Sequence, residues 1–173
     1  SHDYLWRVHA ACPSKGSIAI FNRSHYEDLI VPIVQKRLPP RRVEERFQQI
    51  RDFELMLSKE GTKIVKFLLH ISRDEQWERL MARLDDPNKN WKFSMGDLAE
   101  RERWPLYTAA FKKIVTETSV DYAPWYVIPA NYKWFRDLAI SEIVKNTLES
   151  MSMRWPKPSI EVEPARRALK KLK

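Results

Sequence analysis

The residues best suited to chemistry lie in one polar segment, residues 21–28, which directly follows a short apolar run. Within it, Arg23 could bind two phosphate oxygens at once, because a guanidinium presents paired N–H donors in a fixed plane. Asn22 lies where an acidic Mg²⁺ ligand would be expected, but it is an amide, so any role toward the metal should be indirect. Glu27 and Asp28 offer carboxylate oxygens to a metal or a basic neighbour. The segment indicates a site for a phosphate-like anion.

The same segment also has a purely structural interpretation. Ser24 could cap the helix that follows, and Glu27, three residues later, could complete a capping box. Such a match is common at helix starts, so the spacing alone does not separate a cap from a binding site. Both interpretations stay open at this stage.

A second group of basic residues surrounds Trp91 and Trp104 in a stretch that joins two predicted helices. Such a stretch could close over a polyanion and exclude water. From Trp77 to Trp104, however, six basic residues accompany six acidic ones, so a solvated helix surface with i,i+4 pairs is the competing interpretation. The basic residues near the two tryptophans are Arg83, Lys89, Lys92, Arg101 and Arg103.

Alternating elements must position these two groups. Short apolar runs predict strands at residues 17–21, 63–71 and 125–129, and 3.6-residue periodicity predicts helices between and around them. Strands that alternate with helices favour an α/β fold with a parallel sheet flanked by helices. Pro105 predicts a kink or a new helix start near Trp104. The predicted helices cover residues 3–11, 26–36, 42–59, 75–84, 97–118 and 133–151.

Composition narrows the class of protein. The chain has 173 residues, a net charge of +8 and 43% hydrophobic residues, which excludes a wholly disordered or fibrous chain. The lone Cys12 excludes an intrachain disulfide framework and favours a reducing compartment, so we expect a cytoplasmic protein. We expect no signal peptide or membrane span, and no zinc site, since the histidines lack ligand spacing. Most aromatic side chains should lie in the core.

The charge is unevenly distributed. The segment from Ser152 onward contains seven basic and two acidic residues, which gives +5 of the total net charge of +8. This segment also contains three prolines, so we expect residues 152–173 to form an extended or mobile basic tail rather than part of the site.

Three separated motifs give the chain a family resemblance. It resembles the polyphosphate kinase 2 family over residues 3–151, and the Asn-Arg-Ser-His-Tyr version of the first motif looks like the class III branch, whose members act on both AMP and ADP. The motifs are Phe21-Asn22-Arg23-Ser24-His25-Tyr26-Glu27-Asp28, Asp86-Pro87-x-Lys89-x-Trp91-Lys92-Phe93-Ser94 and Ala123-Pro124-Trp125-Tyr126-Val127-Ile128-Pro129-Ala130-Asn131.

The resemblance implies a P-loop kinase fold like that of thymidylate kinases, with a mobile helical lid at about residues 84–104. It implies that Arg23 binds phosphate and that Asn22 stands near Mg²⁺. Arg83, Lys89, Lys92 and, with them, Arg101 would line the lid or the polyphosphate path. The implied reaction moves a phosphoryl group between inorganic polyphosphate and AMP or ADP, and the implied assembly is a homo-oligomer, a dimer or tetramer.

One departure from the family pattern is large. The family's Gly-x-Asp-x-x-Gly-Lys phosphate loop, with its first strand and helix, does not occur in these 173 residues. We therefore expect residues 1–151 to be the C-terminal part of a kinase domain that would not catalyse phosphoryl transfer unaided.

Two other functions remain open from the sequence. An ATP-dependent nucleoside monophosphate kinase would share the fold class. A basic, non-enzymatic nucleic-acid-binding module would need a basic face with exposed aromatic residues, which the charge-balanced middle segment supports poorly. Our expectation is therefore an enzyme that binds neither nucleic acid nor membrane.

Overall fold

Eight α-helices and two β-strands make up the computed structural model, which describes residues 2–172. The helices are α1 (Trp6–Ala10), α2 (Glu27–Val34), α3 (Pro40–Lys59), α4 (Arg73–Asp85), α5 (Met95–Glu102), α6 (Trp104–Thr118), α7 (Lys133–Ser150) and α8 (Val162–Lys170). The strands are β1 (Lys66–His70) and β2 (Trp125–Pro129), and a 3₁₀ turn covers Asn90–Lys92.

The longest helix, α3, has clear start and stop signals. Pro40 stands at its first position, where the missing backbone N–H costs nothing. Gly61 ends it with a φ of +94°, a left-handed conformation that glycine adopts without a Cβ clash. The buried face of α3 carries Val43, Phe47 and Ile50 at helical spacing, as the sequence predicts.

Three helices share one hydrophobic core. Leu29 of α2, Phe47 of α3 and Ile114 of α6 lie fully buried in it, and Tyr26 packs with them just before α2 begins. Trp125, the first residue of β2, packs partly buried against the same cluster. The core therefore joins the sheet to the segment that ends in Tyr26.

The two strands form a parallel pair. Lys66 is in register with Trp125, and His70 is in register with Pro129. A crossover through α4, α5 and α6 connects them, as a parallel pair requires. The predicted α/β class with a parallel sheet flanked by helices is confirmed.

One of the three predicted strands, at residues 17–21, is absent. Residues 17–21 form neither helix nor strand, and Ile18 and Ile20 are 74% and 90% exposed. A strand needs a hydrogen-bonded neighbour, and within residues 2–172 this segment pairs with none. The prediction came from an apolar run, which shows strand propensity but not a partner.

Other predictions have mixed outcomes. The break at Pro105 is confirmed, since α5 ends at Glu102 and α6 begins at Trp104. An extended tail is wrong for α8, which is helical. The expectation that most aromatic residues are core is wrong for the tryptophans, of which five are exposed: Trp6, Trp77, Trp91, Trp134 and Trp155.

Contacts divide the chain into two units, Ser1–Ile140 and Ser141–Lys173. The first holds the sheet and the core. The second holds the end of α7, where the Thr147 hydroxyl donates to the Ile143 carbonyl, and the basic helix α8. Among residues 2–172, no helix has the length and hydropathy needed to cross a membrane.

Candidate active site

Arg23 lies on a short loop, residues 21–26, directly before α2, and its backbone is in an uncommon conformation. Its φ is 70°, in the left-handed region, which a non-glycine residue adopts at a cost of about 1–2 kcal/mol. The side chain is 80% exposed and lies 3.6 Å from the Glu27 carboxylate, a loose contact for an ion pair. Asn22, beside it, is also exposed. The guanidinium is therefore accessible to an anion from solution.

The capping-box interpretation of this segment is wrong. Helix α2 begins at Glu27, its N-cap residue is Tyr26, and no side chain bonds the cap. The Ser24 hydroxyl instead accepts a hydrogen bond from the Tyr26 backbone N–H at 3.2 Å, which tightens the turn before the helix. Glu27 faces Arg23 rather than the N-cap backbone. The segment is thus a loop fixed at its far end rather than a helix cap.

The far end of the loop is fixed by one buried carboxylate. Oε1 of Glu54, on α3, lies 3.2 Å from Nε2 of His25 and accepts a hydrogen bond from the Tyr26 hydroxyl at 2.9 Å. The His25 ring also packs edge-on against Phe53, with ring centroids 5.9 Å apart. Two consecutive residues of the motif are therefore held by the same helix.

Lys66 completes this buried network from the sheet. Its ammonium donates to Glu54 Oε2 at 2.6 Å, to the Tyr26 hydroxyl at 3.0 Å and to the Thr118 carbonyl at 2.8 Å. Burial lowers the pKa of Lys66, and the Glu54 carboxylate opposes that shift. Burial, reinforced by Glu54, raises the pKa of Tyr26 well above its ordinary value. The network ties α2, α3, α6 and β1 together.

A second set of bonds lies at the carboxyl end of the strands. The Asn131 side chain, after β2, accepts from the Ser72 backbone N–H at 3.0 Å and lies 3.2 Å from the Ser72 hydroxyl. Ser72 caps α4 by accepting from the Glu75 N–H. Arg79 donates to the Ala130 carbonyl at 2.8 Å. The start of α4 is therefore fixed to the loop that follows β2.

The predicted lid residues lie on α4, α5 and the turn between them. Arg83 of α4 lies 3.8 Å from Asp97 of α5, and Lys89 pairs with Asp86 in the turn. The Lys89 ammonium and the backbone N–H of Asn88 hold the pKa of the Asp86 carboxyl below its usual value. Both pairs are partly open to solvent, so each contributes little to stability and can exchange for a ligand.

Lys92 and Arg101 differ in their surroundings. The Lys92 ammonium lies 5.2 Å from the centre of the Trp91 ring, and both residues are exposed. Arg101 donates to the Arg73 carbonyl at 2.7 Å and to the Gln76 side chain at 2.8 Å. Arg101 therefore joins α5 to α4 and is less available to a ligand than Lys92.

Two groups of predicted residues are thus seen, and no direct bond links them. Across residues 2–172, neither a hydrogen bond nor a salt bridge connects Asn22 or Arg23 to the lid, and the contact of Arg23 with Glu27 is its one ion pair. No three His, Cys, Asp or Glu side chains in that range form a metal-binding group. Asp28 pairs with Arg7 at 2.7 Å. The two carboxylates that the sequence offered to a metal, Glu27 and Asp28, each lie beside an arginine.

Sequence reasoning did not identify Glu54 and Lys66 as functional candidates. A signal existed for each: Glu54 recurs on the apolar face of α3 among Phe47, Ile50 and Phe53, and Lys66 interrupts an apolar run. A charged residue at a core position needs a buried partner of opposite charge. Pairing the two positions would have required the tertiary structure.

Residues 1–156 match the family described as Polyphosphate kinase 2. The chain belongs to the polyphosphate kinase 2 family. The resemblance carried by the three sequence motifs is therefore confirmed.

Individual members of the polyphosphate kinase 2 family resemble the chain over nearly all of its length. An AMP/ADP-polyphosphate phosphotransferase of Meiothermus ruber is 52% identical over 163 residues, which cover 94% of this chain and 61% of that protein. An ADP-polyphosphate phosphotransferase of Rhodopseudomonas palustris is 42% identical, covering 96% of this chain and 60% of that protein. The chain thus spans about three-fifths of the length of these relatives.

A solved structure shows the same fold. The crystal structure of polyphosphate kinase 2 from Arthrobacter aurescens superposes with a TM-score of 0.95 at 42% identity. The match covers 99% of this chain and 60% of that one. The arrangement of helices around a parallel sheet is therefore that of a polyphosphate kinase 2 fold.

Proposed function

We propose that the protein to which this chain belongs transfers a phosphoryl group between inorganic polyphosphate and AMP or ADP, forming ADP or ATP. The observation that carries the proposal is Arg23, an exposed guanidinium on a loop whose far end is anchored in the core. Family membership and the activities for which the relatives are named, AMP/ADP- and ADP-polyphosphate phosphotransferase, support the choice of substrates.

The chemistry assigned to this chain is positioning and charge stabilisation. In phosphoryl transfer, negative charge spreads over the phosphoryl oxygens, and fixed cations stabilise it. We assign Arg23 to these oxygens, with Asn22 near the Mg²⁺ in an indirect role toward the metal. An arginine suits this role because it stays charged and can bond two oxygens at once.

The lid cations are assigned to the polyphosphate chain. Arg83 and Lys89 pair with half-buried carboxylates and Lys92 lies against an exposed indole ring, and a polyanion can displace these contacts. Arg101 is also assigned to the lid, where its bonds to α4 support the lid rather than the ligand. Mg²⁺ is expected to reach the site with the substrate phosphates, which in kinases bind it together with waters and one or two carboxylates.

Three further expectations accompany this function. We propose that the protein acts in the cytoplasm, in keeping with its one free cysteine, and that it forms a homo-oligomer, a dimer or tetramer. We propose no nucleic-acid or membrane partner. Light scattering of the purified protein would measure its mass and contradict the oligomer if it gave a single-chain value.

A donor-swap assay tests the function. The protein at its full encoded length is incubated with AMP or ADP, polyphosphate and Mg²⁺, without ATP, and nucleotides are separated by chromatography. Formation of ADP or ATP is the expected result. Transfer to AMP from ATP alone would instead indicate an ATP-dependent monophosphate kinase, and no transfer from either donor, with binding to nucleic acid, would indicate the binding module.

A further inference from the structure

The buried network beneath the Arg23 loop includes more charge than packing requires. Glu54 and Lys66 are buried side chains, 0% and 7% exposed, in a region otherwise built from apolar groups. A buried ion pair rarely stabilises a fold more than apolar residues of the same volume would. The pair therefore calls for an explanation other than stability.

The connections of the pair point to the loop. Glu54 bonds both His25 and Tyr26, the two residues that directly follow the Arg23–Ser24 dipeptide. Lys66 bonds Glu54 and Tyr26 from the first position of β1. One carboxylate and one ammonium thus fix the end of the loop from two different elements.

The other hydrogen bonds of the loop are local: the Ser24 hydroxyl and carbonyl accept from the backbone N–H groups of Tyr26 and Glu27. The loop's one strained residue, Arg23, has a φ of 70°, and the loose contact with Glu27 is its sole ion pair within residues 2–172. Strained backbone persists only where the surroundings determine it more strongly than the residue's own preference. His25 and Tyr26, held by Glu54, are the nearest fixed points along the chain.

Resting on the proposed function, we propose that Glu54 and Lys66 are positioning residues. Through His25 and Tyr26 they hold the loop so that the Arg23 guanidinium faces the phosphoryl group. Neither residue touches substrate, because both are enclosed between α3, β1 and the end of α6. Loosening this network should lower turnover through Arg23 while the core stays folded.

The network is uncoupled most gently at its two aromatic members. His25→Phe keeps a ring against Phe53 but removes the bond to Glu54, and Tyr26→Phe removes one hydroxyl. Tyr122→Phe is the control: it also removes a tyrosine hydroxyl bonded to α3, here a partly buried one at the Arg51 carbonyl, and it lies outside the network. All are made in the protein at its full encoded length and checked for folding by circular dichroism and thermal unfolding.

A double-mutant cycle with Arg23→Ala separates positioning from mere stability. We expect His25→Phe and Tyr26→Phe to lower kcat roughly tenfold, with a change of less than about threefold in the KM for nucleotide, and Tyr122→Phe to leave both unchanged. In the His25→Phe background, Arg23→Ala should cost much less than in the wild type, because residues that act as a unit are not additive. His25→Gln, which keeps an N–H donor, should recover activity.

Two results would overturn the positioning role: additive losses in the cycle, or a kcat of His25→Phe equal to that of the wild type. Because Glu54→Gln could fail to fold, the decision rests on the two aromatic substitutions. The cycle is run with whichever donor, polyphosphate or ATP, supports transfer in the wild type. A failed proposed function would show as an inactive polyphosphate arm, whereas a failed positioning role would show as additivity with the active donor.

Discussion

The Lys66 ammonium of β1 donates to the Glu54 carboxylate of α3 over 2.6 Å, and both side chains are buried. The same ammonium donates to the Thr118 carbonyl at the last residue of α6, where the helix dipole favours a positive charge. One residue of the sheet is thereby bonded to two helices of the core. The bonds among Lys66, Glu54 and Thr118 therefore hold the end of the Arg23 loop in place.

Breaking the pair on one side should destabilise the fold strongly. Lys66→Met leaves Glu54 buried without its cation, which should lower the free energy of unfolding by about 3–5 kcal/mol. Adding Glu54→Leu to that variant should recover much of the loss, because no buried charge remains. Urea unfolding followed by circular dichroism measures both variants.

The exposed pair between Lys113 of α6 and Glu44 of α3 provides the control, since it also joins two helices. Lys113→Met should change stability far less than Lys66→Met, because water solvates the remaining charge. Equal losses at the two lysines would contradict the account of the buried junction.

Because its hydroxyl is buried, Tyr26 should make the folded protein less stable at alkaline pH. Burial raises its pKa, so the hydroxyl stays protonated in the folded protein when the unfolded chain begins to ionise near pH 10. Above that pH the folded state binds more protons than the unfolded state, and stability falls as pH rises, by at most about 1.4 kcal/mol per pH unit for this one group. Below it, Tyr26 has no effect on the pH dependence.

Comparison with Tyr26→Phe isolates this contribution. Burial also raises the pKa of Tyr4 and of Tyr107 to about 12, and both act in the same direction, while the lowered pKa of Lys66 acts in the opposite one. Urea unfolding between pH 9 and 11.5 should show a shallower decline for Tyr26→Phe than for the wild type. Parallel curves would show that Tyr26 ionises alike in both states.

The lid cations should act on polyphosphate rather than on the nucleotide. Lys89→Gln and Lys92→Gln should each raise the KM for polyphosphate several-fold and reduce its dependence on salt, because each removes one mobile charge from the path of a polyanion. Steady-state kinetics at several salt concentrations would measure both effects. An unchanged KM for polyphosphate in both variants would remove these residues from the site.

Arg101 is expected to behave differently from these lysines. Its bonds to the Arg73 carbonyl and the Gln76 side chain attach α5 to α4. Arg101→Gln should therefore lower the thermal stability of the lid and change the kinetics for both substrates together. Hydrogen exchange in α5, compared with Lys92→Gln as the control, would detect the loosening.

Local signals predicted most elements, and tertiary context decided the rest. Gly61 identifies the end of α3 because glycine adopts the left-handed backbone there without a clash, and Pro105 separates α5 from α6 because proline cannot continue a helix. Residues 17–21 have strand character but no strand beside them, and sequence pattern does not reveal a missing neighbour. Motif spacing predicted the family, and it is confirmed.

The sequence could likewise identify some residues of the candidate site but not others. Asn22 and Arg23 could be selected from residue type and their place after an apolar run. The anchor beneath them could not, because Glu54 and Lys66 are separated from the motif and meet it through the packing of α3 and β1. The structural role of Arg101 was also hidden, since its partners are a backbone carbonyl and a side chain of another helix.

Three substitutions at Arg23 separate its side chain from its backbone. Arg23→Ala should cut turnover more than tenfold with the fold retained, because the fixed cation that stabilises phosphoryl charge is lost. Arg23→Lys should recover part of the activity, since it restores the charge without the paired N–H donors. Arg23→Gly should be as inactive as Arg23→Ala but about 1 kcal/mol more stable, because glycine adopts a φ of 70° without strain. Turnover assays and thermal unfolding together measure the series.

Wild-type turnover in Arg23→Ala would remove the residue from the reaction, and equal stability of the alanine and glycine variants would show that the loop relaxes when the side chain is shortened.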